Sequence, residues 1–129
     1  MTTELTVLAL AAILQAGQIF LAAIVMNADV GADWNVGPRD SHPEFSAMTG
    51  RLRRAVNNHF EALVFFTIAV VVISMSGKGN GFTAIAAWVY LAARILYIPA
   101  YAFGWSPWRT VIWGVGFAAT MLMIVVALL

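Results

Sequence analysis

From Leu5 to Met26 the chain runs without a single charged side chain. At 1.5 Å per residue, these roughly 22 residues make a helix of about 33 Å, enough to cross a hydrocarbon core of about 30 Å. Three more stretches behave alike. Asn57 to Ser76 carries only Glu61, Phe82 to Phe103 carries only Arg94, and Thr110 to Leu129 carries no charge. A chain of 129 residues with four such runs leaves little sequence for anything except membrane-spanning helices. Composition agrees: 62% of residues are hydrophobic, 10% are charged, and the mean hydropathy is +0.87. A soluble domain is nearer half apolar and a quarter charged. The expected class is an all-α integral membrane protein, a single four-transmembrane-helix domain with up-and-down topology and membrane lipids as its surroundings.

Several functions are excluded or left without support. The net charge of +1 gives no reason to invoke nucleic acid. The absence of cysteine removes disulfides, thiolate nucleophiles of the protein's own and cysteine metal sites. No metal is expected, since His42 has no second histidine at ligand spacing. The N-terminus carries Glu4 in place of a basic region, and its apolar run is too long for a secretory signal, so it reads as a retained helix.

The expected spans are about 5–26, 49–76, 82–103 and 109–129. Gln15 and Gln18 lie one turn apart on the first, among Ala and Gly, where small residues permit close approach and amides bond across it. Residues 27–48 lose the apolar pattern to Gly, Pro, Asp and Asn, and read as one long loop. Residues 77–81, GKGNG, form a tight turn, and Pro99 is expected to loosen the end of the third span. Arg39, Arg51, Arg53, Arg54 and Arg109 fall in or beside the first and third connections, and only Lys78 in the second. The positive-inside rule then puts residues 27–48 in the cytoplasm and both termini outside.

Polar residues in the spans carry the functional signal. At about 100° per residue, Arg51, Arg54, Asn58, Glu61 and Phe65 fall on one stripe of the second span, while His59 and Arg53 point elsewhere. On the third, Tyr90, Arg94, Tyr97 and Tyr101 form another. Counting from the 77–81 turn, Glu61 and Arg94 lie about 22 Å and 20 Å deep, so an intramembrane Glu61–Arg94 pair is expected. Asn58, Tyr97, Tyr101, Arg54 and Arg109 follow towards the cytoplasmic surface. They outline a net-basic pocket whose guanidinium groups can hold carboxylates. The other reading is structural: a buried pair can fix helix register, and surface arginines can set topology.

These residues resemble motifs of the MAPEG family, membrane-associated proteins in eicosanoid and glutathione metabolism. Arg54-Ala55-x-x-Asn58-x-x-Glu61 is similar to its second-helix signature, and Arg94-x-x-Tyr97-x-x-x-Tyr101 to the third-helix motif of leukotriene C synthase and microsomal glutathione transferases. Arg109 resembles the family's thiol-activating arginine in placement, and the GPRD segment of the loop resembles bacterial members. The resemblance implies a homotrimer in a bacterial inner membrane with glutathione as co-substrate. Arg54, Asn58, Glu61, Arg94, Tyr97 and Tyr101 would bind it, and Arg109 with Tyr101 would act in catalysis. The implied activity is a glutathione-dependent transferase or peroxidase acting on lipophilic electrophiles or lipid hydroperoxides. The alternative is a non-catalytic protein of the same fold acting as a structural or accessory subunit, with another membrane complex as its partner.

Overall fold

The computed structural model describes residues 1–41 and 43–129; His42, where no metal was expected, lies outside the described residues. Four long helices account for most of the chain: α1 (Thr3–Val30), α3 (Ala47–Ser76), α4 (Gly81–Ala102) and α5 (Trp108–Leu128). A short helix, α2 (Ala32–Val36), lies in the first connection. Each of the four long helices is apolar and long enough to span a membrane. Large hydrophobic side chains such as Ile13, Phe20, Ile24, Val64, Ile68 and Ile95 are exposed along them, a surface suited to lipid rather than water. The protein is a four-helix membrane bundle.

Local chemistry sets the helix ends. Thr2 caps α1 by accepting from the Leu5 amide, and Ser46 caps α3 by accepting from the Thr49 amide. Asn80 and Thr83 form a reciprocal capping box at the start of α4. Gly77 ends α3 at φ 69°, a left-handed conformation that glycine adopts without a Cβ penalty. Helix α1 continues past Met26 to Val30, because the chain offers no break before Gly31 at φ 85°. Helix α4 passes through Pro99 and ends at Ala102.

The packing has a simple plan. Helices α3 and α4 touch each other, and each also touches α1 and α5; α1 and α5 do not meet. The section is a rhombus with α3 and α4 on its short diagonal. Helices α4 and α5 approach most extensively, at small residues: a Cβ added at Gly116 would sit 3.4 Å from that of Ala93. In the centre, Phe66 of α3 stacks on Tyr90 of α4 with ring centroids 3.9 Å apart.

Polar ties at its start and middle help hold α1 in place. Near its start, buried Glu4 accepts a hydrogen bond from the Thr83 hydroxyl of α4. Halfway along, Gln15 donates to the Val56 carbonyl at 3.1 Å, and Gln18 donates to Gln15 Oε1 at 3.1 Å. His59, fully buried, places Nδ1 2.8 Å from both Gln15 Oε1 and Gln18 Nε2. The α1 amides do bond across a helix contact, and their partner is the histidine that points away from the polar stripe.

Removing one member of this network strands the others in the core. We expect His59→Ala to lower unfolding stability by about 1–3 kcal/mol through unpaired amides, beyond the cavity it leaves. Replacing Gln15, Gln18 and His59 together with leucine should cost less than that single change. Thermal unfolding in detergent measures both, and a triple variant weaker than His59→Ala would contradict the reading.

Candidate functional site

The stripe on α3 arises because Arg54, Asn58 and Glu61 recur at four- and three-residue spacing, placing them over successive turns. Tyr97 and Tyr101 do the same on α4, and the α4–α5 turn brings back Arg109, the second residue of α5. These three elements enclose a groove on the side of the bundle away from α1. Arg54, Asn57, Asn58, Glu61, Tyr97, Tyr101 and Arg109 line about 470 Å³ of it. Deeper, and adjoining at Glu61, about 440 Å³ is lined by Arg94 and Tyr90 together with Ala62, Phe65, Trp113, Gly116, Phe117 and Thr120. The seven residues singled out in the sequence therefore meet on one face.

Aromatic rings position the cations. The Arg54 Nε donates to the Tyr101 hydroxyl at 2.9 Å. Arg109 lies over the same tyrosine ring, 4.7 Å from its centroid, so Tyr101 stands between the two guanidinium groups. Tyr97 meets Tyr101 edge to face at 5.6 Å, and its own ring supports the Arg94 guanidinium at 4.2 Å. Cation–π contacts of this kind orient an arginine without consuming its N–H donors, which stay available to an incoming acceptor.

Arg94 corrects the expected ion pair. Its Nη1 donates to Asn58 Oδ1 at 3.0 Å, while its Nε and Nη2 are buried without a partner. Glu61 is exposed, lines both compartments and makes no hydrogen bond to Arg94. The two residues do share a depth, since both line the deeper cavity. The angle decides the outcome: Asn58 and Glu61 are separated by about 60° around α3, and Asn58 is the one turned towards α4. Arg94, 2% exposed, is thus a buried cation with a neutral partner and two spare donors.

One residue beside the groove escaped the sequence reading as a positioning element. His59 follows Asn58 and faces α1, so its bonds to Gln15 and Gln18 fix the rotation of α3 at the point where Asn58 must face Arg94. The signal was the Gln15–Gln18 spacing, which announced a buried polar contact without naming its partner. On the loop side, Asp29 accepts from the Ser46 amide and the Thr49 hydroxyl, tying the end of α1 to the start of α3.

The sequence model described as MAPEG family matches residues 7–129, nearly the full chain. That family includes glutathione transferases and other members. No curated protein matches the chain.

The unequal standing of Asn58 and Glu61 is open to a direct measurement. Asn58→Ala strips Arg94 of its hydrogen-bond partner and should cost about 1.5–3 kcal/mol, the size expected for a hydrogen bond to a charged group. Glu61→Gln breaks no hydrogen bond to Arg94, so it leaves no buried donor stranded and should cost clearly less than Asn58→Ala. Comparing the unfolding midpoints of the two purified variants checks the ranking, and the reverse order would restore the Glu61–Arg94 pair.

Proposed function

The chain belongs to the MAPEG family, and we propose that it binds glutathione in the α3–α4–α5 groove and uses its thiolate against a lipophilic electrophile or a lipid hydroperoxide. The observation that carries this reading is the convergence of Arg54, Asn58, Glu61, Arg94, Tyr97, Tyr101 and Arg109 on one face. Glutathione has two carboxylates and one ammonium group. The groove offers three guanidinium groups and one carboxylate, and Arg94 holds two donors in reserve. Arg54 and Arg94 suit the carboxylates by paired N–H contacts, and Glu61 suits the ammonium.

Arg109 supplies the chemistry. A thiol like that of cysteine ionises near pH ~8.5, and a neighbouring cation lowers this value, raising the fraction of nucleophile at neutral pH. Stacking on Tyr101 keeps the Arg109 guanidinium over the groove while leaving its N–H groups free to face sulfur. Tyr101, held by Arg54, offers a hydroxyl close to the same place. The apolar second compartment, walled by Phe65, Trp113 and Phe117, suits a substrate arriving from lipid. Attack of the thiolate on that substrate is ordinary nucleophilic substitution or addition.

The proposed assembly is a homotrimer in a bacterial inner membrane, with the termini on the non-cytoplasmic side. An exposed carboxylate at membrane depth supports it, because Glu61 would be costly facing lipid and a neighbouring copy would cover it. The accessory-subunit reading has one observation in its favour. The last turn of α1 adds no basic residue to the groove and holds Asp29, which is engaged in bonds to α3.

Titration of the purified protein with glutathione, recording thiolate absorbance as pH is varied, separates the two. Binding at millimolar glutathione is expected, and none at that concentration would sink the enzymatic reading. Arg109→Ala should lose the thiolate signal while keeping most affinity; an unchanged signal would remove Arg109 from its assigned role.

A further inference from the structure

At the mouth of the groove, two of its cations meet a third at the same end of the bundle. Arg51, Arg54 and Arg109 line about 530 Å³ together with Tyr101, Gly104, Trp105 and Ser106. Among the described residues this lining contains no aspartate or glutamate. The arginines are held from behind. Arg51 donates from Nη1 to the Ala102 carbonyl at the end of α4, at 3.1 Å, and packs against Gly104. Arg54 is fixed through Nε to Tyr101, and Arg109 by the ring of the same residue. Each has N–H groups beyond these contacts, because a guanidinium carries five.

Position narrows the ligand. The cluster sits at the α4–α5 turn, where the apolar span ends, and Trp105 and Trp108 are exposed there as interfacial aromatic anchors. Basic pockets between helices at this level suit phosphate head groups. We propose that Arg51, Arg54 and Arg109 form a site for a phosphate-bearing anion, supplied by the head group of an anionic phospholipid. Three guanidinium groups match the geometry of phosphate oxygens. With no carboxylate in the lining to receive a choline ammonium, a zwitterionic head group is the poorer fit. Arg51 is the residue specific to this site, since it lines neither compartment of the glutathione groove. The site does not depend on glutathione and is tested without it.

Phosphatidylglycerol and phosphatidylcholine are titrated separately onto the detergent-purified full chain, with retained lipid counted by native mass spectrometry. Inorganic phosphate is titrated in parallel with thermal unfolding as readout. Arg51→Gln keeps a donor for the Ala102 carbonyl, so folding is retained and is checked by the same unfolding measurement. Arg53→Gln is the control, because Arg53 lies at the same end but stacks over Phe45 outside the pocket. The expected result is preferential retention of phosphatidylglycerol, weakened about tenfold, equivalent to about 1.4 kcal/mol, in Arg51→Gln and unchanged in Arg53→Gln. Stabilisation by inorganic phosphate that is lost in Arg51→Gln, without lipid retention, would support the anion site and make its occupant soluble. Equal retention of both lipids, equal losses in both variants, or no response to either probe would overturn the proposal.

Discussion

A buried cation is the constraint around which the rest of the bundle is arranged. Arg94 sits on a membrane-spanning helix at 2% exposure, where an unsolvated guanidinium is tolerated only with partners close by. Asn58 gives it an acceptor and Tyr97 gives it a π-face. Neither neutralises it. For Asn58 to reach across, α3 must hold one rotation about its own axis, and the fully buried His59 locks that rotation against α1 through Gln15 and Gln18. The polar interior is thus one connected arrangement from α1 to α4, and the groove is its open side.

Much of this was legible in the amino-acid order because lipid imposes strict rules. The four apolar runs, the glycine-rich turn at 77–81 and the two polar stripes all follow from length and period. Depth was legible as well: Glu61 and Arg94 line a common cavity, as residue counts from the shared turn require. What the counts did not resolve was which of two polar groups on one stripe reaches the arginine. A helical wheel places side chains to within tens of degrees, and about 60° separates Asn58 from Glu61. Opposite charge made the wrong partner attractive. His59 was hidden for a different reason, since its partners lie more than 40 residues away on another helix and no local spacing records them.

The two arginine clusters overlap at one end of the molecule. Arg54 and Arg109 belong to both, whereas Arg94 belongs only to the deep groove and Arg51 only to the turn. Tyr101 is the common support, bonded by Arg54 and overlain by Arg109. A single aromatic ring therefore couples the membrane-surface cations to the wall of the groove.

The separation of α1 from α5 has a further consequence for how such a chain can change over time. Helix α1 carries the amides that hold α3, and α5 carries Trp113, Phe117 and Thr120, which shape the apolar compartment. Because the two helices share no contact, substitutions along the inner face of α5 can reshape that compartment without touching the α1 anchor. The bundle keeps its amide anchor on one flank and the wall of the apolar compartment on the other, so the shape of that compartment can change while the anchor stays constant.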